Sequence, residues 1–218
     1  MSPQAFLQLD LPLTDDTFVN GNAPSIVFGL TTEPLYVHVV GPKYTLLRFD
    51  AASLAGQTVL EATLRVHLRS LKAPGTLRVH AITTAWSEGT VNWSTRPEFE
   101  ADPSASLEVA FDDVGGYVEA DITALAQRWA DGALPDAGVL LALGTADRAL
   151  VSSKEIDAGQ FPAVLEVRTE GTVPSQTEVL DFSGDLPVVI TEPGTYLLDQ
   201  DWSVKSPEVG GTTALVIE

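Results

Sequence analysis

The chain has 218 residues, with 12 basic against 30 acidic side chains, a formal net charge of −18 and no cysteine. The missing cysteines exclude a disulfide framework and a thiolate metal site. The negative charge argues against a nucleic-acid partner, whose phosphates require Lys and Arg, and against an anionic membrane surface.

Neither a membrane span nor an export signal is predicted from this sequence. No run of about 18 apolar residues occurs, so we expect no membrane insertion. Residues 1–20 lack both a basic start and a continuous apolar stretch, so we expect no signal peptide.

Alternation of apolar and polar residues is the main pattern of residues 1–170. Residues 62–69 and 76–81 both alternate, and a Lys-Ala-Pro-Gly turn lies between them. Because Pro presets φ and Gly accepts positive φ, the two segments predict a β-hairpin. Turn signals separate further strand candidates at 17–19, 35–40, 44–50, 107–111, 116–121, 138–143, 149–154 and 163–168. Short strands at this spacing indicate an all-β fold, an antiparallel β-sandwich of the jelly-roll kind.

One short helix is predicted at 122–130. Its apolar residues recur at helical spacing and form one face: Ile122, Leu125, Ala126 and Trp129. Asp121 or Thr123 is placed to cap the start, and Gly132 to end the helix. We expect Trp129 to be mostly buried.

The character of the chain changes after the sandwich. Residues 171–178 read as a polar linker, and residues 179–218 contain short strands split by Pro-Gly and Gly-Gly. This pattern resembles the first coil of a right-handed parallel β-helix of the pectate-lyase-like kind, whose rungs are stable only when stacked on further rungs. The alternative is a C-terminal extension that packs on the jelly roll. If the β-helix reading holds, the chain is part of a longer protein.

One segment is too specific to come from generic patterning. At 86–97, two Trp lie seven positions apart around a Ser-Glu-Gly turn, and the segment ends in Arg-Pro. Other motifs accompany it in order: Asp-Thr-Phe-Val at 16–19, Leu-Leu-Arg-Phe-Asp at 46–50, Ala-Thr-Leu-Arg-Val at 62–66, Val-Glu-Ala-Asp-Ile-Thr-Ala-Leu at 118–125, Gln-Arg-Trp at 127–129 and Ser-Ser-Lys-Glu at 152–155. In order and spacing they resemble the DNRLRE domain, also described as carbohydrate-binding module family 96 and related to disaggregatase repeats. The resemblance covers about residues 5–170.

The resemblance implies a function outside the cell. It predicts a non-catalytic module, secreted or at the cell surface, that binds or anchors polysaccharide for a larger protein. A downstream β-helix domain would be its partner, and that domain could be a polysaccharide lyase. A second hypothesis is a structural stalk or adhesive module of a surface or fibrous assembly, with self-association and no sugar site. A phage-like tail protein is a third.

A cationic strip is the first candidate for ligand binding. In a hairpin closed at Ala73-Pro74, five basic side chains would share one face: Arg65, His67, Arg69, Arg78 and His80. Few basic residues are available in this chain, so their concentration predicts a site for an anionic polysaccharide such as a uronate polymer. The alternative is that neighbouring Asp and Glu neutralise the strip.

Aromatic side chains provide the second set of ligand candidates. Tyr36 and Tyr44 flank the Gly-Pro turn at 41–42, where a Tyr ring can stack on a sugar. Trp86, Trp93 and Trp129 could also stack on a sugar, but Trp at turn and helix positions more often packs in the core and stabilises the fold. We therefore expect them to be structural.

Three acids are candidates for a structural calcium site. Asp16 lies near the first strand, Glu155 lies near the last, and Asp121 precedes the helix. First and last strands are neighbours in many jelly rolls, and Ca²⁺ prefers oxygen ligands. The alternative is that these acids cap turns and the helix. No catalytic signature is present, neither a Gly-x-Ser-x-Gly elbow nor His-Glu-x-x-His, so we expect no enzymatic activity from this chain.

Overall fold

The alternating segments form two antiparallel sheets that enclose one core. The computed structural model describes residues 6–29, 31, 33–39 and 41–170 in full, and 178–180 and 196–198 by their backbone. The strands are β1 Phe6–Leu11, β2 Leu13–Asn20, β3 Leu35–Val37, β4 Lys43–Phe49, β5 Val59–Ala73, β6 Gly75–Ala81, β7 Ala105–Val109, β8 Tyr117–Asp121, β9 Val139–Leu143, β10 Asp147–Val151, β11 Val164–Glu170, β12 Glu178–Leu180 and β13 Tyr196–Leu198. Short 3-10 turns lie at Ala52–Leu54, Trp93–Thr95, Phe111–Asp113 and Ile156–Gly159.

The sandwich has a six-stranded and a five-stranded sheet. The six-stranded sheet follows the order β1-β11-β5-β10-β3, with β8 paired to β5, and the five-stranded sheet follows β2-β4-β9-β6-β7. The prediction of a two-sheet antiparallel sandwich is confirmed. Alternate residues of each strand point into the core, so that Leu64, Val66 and Leu68 of β5 are fully buried between the sheets.

The predicted helix is confirmed as α1, which spans Thr123–Ala130. Its apolar face, including Leu125 and Trp129, is buried in the main core because these side chains recur at helical spacing. The helix ends where predicted, since Gly132 takes a positive φ and its N–H donates to the carbonyl of Trp129.

Asp121 binds the start of this helix. One of its carboxylate oxygens accepts the Thr123 N–H at 2.8 Å and the Thr123 hydroxyl at 2.6 Å. These two bonds lower the pKa of Asp121, because they favour the charged form. Asp121 therefore supplies an acceptor for the Thr123 N–H, which has no partner within the helix.

Asp121→Ala is expected to lower the free energy of unfolding by about 1 kcal/mol, the usual cost of losing a side-chain cap. Urea unfolding followed by circular dichroism measures the change. Asp112→Ala, which removes an exposed acid from a 3-10 turn, is the control and should leave stability within about 0.5 kcal/mol of wild type. Equal losses in both variants would contradict a capping role.

The predicted hairpin at 62–81 is wrong. β5 and β6 are separated only by Pro74, but β5 belongs to the six-stranded sheet while β6 pairs with β7 and β9 in the other. Gly75 makes this crossing possible, because it has a φ of +150° and a side chain there would contact the Ala146 backbone. Pro74-Gly75 is thus a corner between sheets and not the turn of a hairpin.

A second, smaller apolar cluster lies outside the five-stranded sheet. Residues 82–104 fold back over this outer face, and Trp86 and Val91 pack on Val19, Leu46 and Leu140. Trp86 is buried, as expected for a structural Trp, and its indole N–H donates to the carbonyl of Ala137 at 2.8 Å. The loop covers only part of the face, which leaves the remainder open.

The sandwich and residues 171–218 belong to separate compact units. In the second unit, β12 and β13 pair in parallel, with Glu178 opposite Tyr196. Most of the predicted linker at 171–178 and of the predicted β-helix start at 179–218 lies outside the described residues, so both stay predictions. In the described part of the chain, no helix has the length and apolar character needed to cross a membrane.

Candidate functional site

The uncovered part of the five-stranded sheet forms a cleft of about 250 Å³. We call it the outer-sheet cleft. Its floor comes from β4, β9 and β6, and its walls come from the β3–β4 turn and from the loop that carries Phe99. The lining residues are His38, Val39, Pro42, Tyr44, Arg78, His80, Phe99, Ala142 and Leu143. The loop at 82–104 therefore both buries the second cluster and provides one wall of the cleft.

Aromatic rings form one side of the outer-sheet cleft. Tyr44 is partly exposed, and its ring lies 5.2 Å from that of Trp93 and 5.9 Å from that of Phe99. Such contacts hold the Tyr44 ring in one orientation before any ligand binds. Tyr44 thus offers a fixed, partly exposed ring of the kind that packs on the C–H face of a sugar.

Arg78 provides the exposed charge of the cleft. It lies on β6, opposite Ala142 of β9 and Ser106 of β7, neither of which carries a charge. No carboxylate within the described residues forms an ion pair with Arg78. The neighbouring His80 is buried and its Nδ1 lies 2.9 Å from the carbonyl oxygen of Glu100. The cleft therefore combines aromatic surface with one uncompensated guanidinium.

The predicted strip of five basic residues does not exist as one surface. Because β5 and β6 belong to different sheets, Arg65, His67 and Arg69 lie on the outer face of the six-stranded sheet, away from Arg78 and His80. The physical reason is the corner at Pro74-Gly75, which turns the chain from one sheet into the other.

Acidic neighbours neutralise the half of the strip on β5. Arg65 pairs with Glu166 at 2.5 Å and Glu119 at 3.0 Å, and Arg69 pairs with Asp157 at 2.5 Å. His67 is buried, with its ring stacked on Phe161 and its Nδ1 2.9 Å from the Ser152 hydroxyl. The alternative that Asp and Glu neutralise these arginines is therefore confirmed for Arg65 and Arg69.

The two predicted Tyr candidates occupy different environments. Tyr44 lines the cleft, whereas Tyr36 packs on Phe18 with its ring centroid 5.0 Å away. The Lys43 ammonium lies 4.3 Å from the Tyr36 ring, which is a cation–π contact. Of the predicted ligand residues, the structure brings together Tyr44, Arg78 and His80.

The sequence comparison agrees with this architecture. Residues 8–169 match the sequence profile of carbohydrate-binding module family 96. The chain belongs to this family. The family predicted from the motifs is thereby confirmed for the sandwich. No curated protein matches the chain.

Two of the predicted calcium ligands meet in this family 96 module. Asp16 on β2, Glu88 in the turn after Trp86 and Glu155 after β10 each place one carboxylate oxygen within 4.8 Å of the others. Asp121 is not part of this acid cluster, because its carboxylate is bonded to Thr123 at the helix start. Asp121 therefore does not join Asp16 and Glu155, whereas Glu88 does. Calcium binding at this cluster stays a prediction.

Lys154 lies among the three acids. Its ammonium is 2.5 Å from Glu88, 2.6 Å from Glu155 and 3.7 Å from Asp16, and its backbone N–H donates to Oδ2 of Asp16 at 2.7 Å. Burial would lower the pKa of Lys154, but the hydrogen bonds to Glu155 and Glu88 outweigh it and raise the pKa. Burial raises the pKa of Asp16 to about 7, since a desolvated carboxyl disfavours the charged form.

Sequence reasoning missed three residues of these sites. Glu88 lies within the Ser-Glu-Gly turn of the motif, but the N–H groups of Thr90 and Val91 close this turn on the Ser87 carbonyl, and Glu88 contacts Lys154 instead. Lys154 was noticed only as part of a motif, and Phe99 had no local signal. A glutamate left over in a turn that closes without it is the kind of signal that could have identified Glu88.

Proposed function

We propose that this family 96 module is a non-catalytic polysaccharide-binding module and that the outer-sheet cleft is its binding site. The observation that carries the proposal is the cleft itself, where partly exposed aromatic rings and the unpaired Arg78 meet on a sheet face that the 82–104 loop leaves open. The family supports carbohydrate as the ligand, and the geometry supports this cleft as the place.

The aromatic side of the cleft would supply most of the contact area. Tyr44 is braced by Trp93 and Phe99, so little conformational entropy is lost when a sugar packs against it. Its hydroxyl adds a hydrogen-bonding group at the edge of the ring. A Tyr44→Ala variant would remove both contributions.

Arg78 makes a carboxylated sugar the preferred ligand in this proposal. A guanidinium grips a carboxylate through two parallel N–H bonds, and no carboxylate of the described chain competes for it. The rest of the surface repels polyanions because the chain carries a net charge of −18. Attraction is therefore local to the cleft, and its range is about 10 Å at 0.1 M salt.

The test measures affinity for polyuronates, alginate and polygalacturonate, by gel retardation and calorimetry. Arg78→Ala is expected to weaken binding by roughly 10- to 100-fold, the loss of a charge-assisted hydrogen bond worth about 1.5 to 3 kcal/mol. Binding of the wild type should also weaken as salt rises. Circular dichroism establishes that the variant keeps its fold.

Arg65→Ala is the matched control, because it removes the same side chain from the opposite face, where Arg65 is already paired with two acids. It should bind like wild type. Full affinity for polyuronates in both Arg78→Ala and Tyr44→Ala would remove the cleft from the proposal. Binding of neutral glycans alone would keep the cleft but remove the uronate. No glycan binding at all would favour the stalk or adhesive module.

The proposal extends to how the module is used. Polysaccharide matrices lie outside cells, so we propose a secreted or cell-surface location, with the module anchoring a larger protein that includes a downstream β-helix domain. Supporting evidence for a non-catalytic role is the family, together with a sequence free of the hydrolase motifs considered above. Incubation with the bound polysaccharide should release no reducing ends.

A further inference from the structure

The acid cluster of Asp16, Glu88 and Glu155 has the composition of a cation site. Its three carboxylates come from three separate parts of the chain, and one oxygen of each lies within 4.8 Å of the others. Asp16 and Glu88 are buried. Carboxylate oxygens are the ligands that Ca²⁺ prefers, and buried carboxylates that converge at this distance repel one another unless a positive charge lies between them.

A second observation also indicates a missing ligand. Oδ1 of Asp16 has no hydrogen-bond partner, although the residue is only 1% exposed. Its other oxygen is satisfied by the Lys154 backbone N–H. Buried polar atoms are almost always paired, so an unpaired one in a native structure requires an explanation. Oδ1 faces the space that the other two carboxylates share with the Lys154 ammonium.

The Lys154 ammonium compensates the cluster only in part. One positive charge faces three carboxylates, and its contacts are unequal, at 2.5 and 2.6 Å to Glu88 and Glu155 but 3.7 Å to Asp16. A divalent cation would bring one further positive charge and could contact all three groups. When all three groups are ionised, the cluster keeps a net negative charge that a divalent cation would reduce.

An open cavity beside the cluster could receive the Lys154 ammonium. Lys154 lines a separate open cavity of about 340 Å³ beside the cluster, together with Asp10, Pro12 and Pro162. Its side chain is long, flexible and about a quarter exposed, so the ammonium can turn into this cavity and become solvated. The backbone N–H of Lys154 would meanwhile keep its bond to Asp16.

We propose that Asp16, Glu88 and Glu155 form a calcium site in which Ca²⁺ displaces the Lys154 ammonium. Water would complete the six to eight oxygen ligands that Ca²⁺ takes. Mg²⁺ binds less well, because it demands near-ideal octahedral geometry and gives up its water reluctantly. The site is independent of the outer-sheet cleft, so its test does not depend on glycan binding.

The experiment uses the full chain, stripped with chelator and dialysed. Calorimetric titration with CaCl₂ and thermal unfolding at matched ionic strength are the two measurements. Ca²⁺ should raise the unfolding midpoint, because a ligand bound only to the native state stabilises that state. MgCl₂ should give a smaller rise. Asp16→Asn should abolish the calcium response.

Lys154→Met separates displacement from simple binding. It keeps an unbranched side chain, one atom shorter, and removes the competing ammonium, so calcium affinity should rise at least about tenfold, which corresponds to about 1.4 kcal/mol. Asp121→Asn, which changes an acid outside the cluster, should respond to calcium like wild type. No response in wild type and Lys154→Met overturns the proposal, and so does an unchanged response in Asp16→Asn. If Lys154→Met does not fold, the comparison of wild type with Asp16→Asn still decides.

Discussion

Replacing Trp86 with alanine is expected to lower the free energy of unfolding by about 3 to 5 kcal/mol, the range for truncating a buried Trp. Trp86 is 8% exposed and packs in the cluster beneath the 82–104 loop. Its indole N–H bonds to Ala137 at 2.8 Å, and Arg48 donates to the Trp86 carbonyl at 3.1 Å. The cavity left by the variant would be hard to fill, because the Trp86 side chain lies between the loop and the sheet.

The same change should reach the outer-sheet cleft. Phe99 and Trp93 lie on the loop that Trp86 anchors, and both contact Tyr44. Loosening the loop therefore removes the support of Tyr44, and glycan affinity should fall even under conditions where the variant stays folded. Urea unfolding measured by circular dichroism gives the stability, and calorimetry below the transition gives the affinity.

Two variants test the cause of this loss. Trp86→Phe keeps an aromatic ring but leaves the Ala137 carbonyl without its donor, so it should cost less, about 1 to 3 kcal/mol. Phe111→Ala removes an aromatic side chain that is 57% exposed and should cost within about 0.5 kcal/mol. If Trp86→Ala were no more costly than Phe111→Ala, the loop would not be held by Trp86.

The second large effect is on the pH dependence of stability. In the presence of chelator, the free energy of unfolding is expected to fall by about 2 kcal/mol between about pH 5.5 and 8.5 through Asp16 alone. Burial raises the pKa of Asp16 to about 7 in the folded chain, whereas its ordinary value is about 3.9. The native state therefore binds this proton more tightly than the unfolded state does.

The sign follows from that difference. The stabilisation by the Asp16 proton is fully present below the ordinary pKa and is lost as pH rises through about 7. Asp136, whose pKa burial also raises, acts in the same direction. Asp15 and Asp147 act in the opposite direction, since bonds to Arg48 and Lys72 outweigh burial and lower their pKa values. Their stabilisation is lost only under more acidic conditions, outside this window.

Asp16→Asn isolates the contribution, because the amide oxygen can still accept the Lys154 N–H but cannot ionise. Its stability should be flatter than wild type across the window by about the same 2 kcal/mol. Asp112→Asn, an exposed acid, should keep the wild-type slope. The measurement is urea unfolding at four or five pH values with chelator present. Parallel curves for wild type and Asp16→Asn would show that the Asp16 proton does not contribute.

The helix, the two-sheet sandwich and two residues of the cleft could be predicted from the spacing of residues along the chain. The helix at 123–130 was predictable because its apolar residues recur every three or four positions, and Gly132 could end it. The two-sheet sandwich was predictable because each strand alternates and the turns separate them. Tyr44 and Arg78 were identified as candidates because one flanks a turn and the other is a scarce cation on a strand. These inferences need only near neighbours along the chain.

The remaining features depend on distances that local spacing does not contain. Alternation shows which residues of β5 and β6 share a face of their own strand, but not that the corner at Pro74-Gly75 sends β6 into the other sheet. The predicted cationic strip is therefore divided between the two sheets. The acid cluster is similar, because Glu88 and Lys154 are 66 positions apart and meet only through the packing of two loops.

The pairing of β1 with β11 has a consequence for how the protein is made. The first and last strands of the sandwich lie side by side, with Phe6 opposite Glu170 and Leu11 opposite Leu165, and β11 also pairs with β5. During synthesis, β1 and one edge of β5 must wait until β11 has left the ribosome. The intervening chain carries unpaired strand edges, which are prone to aggregation, and pairing over so long a separation is slow. A nascent chain stopped before residue 164 would leave both strands without this partner, so we expect the sandwich to close only after β11 has been made.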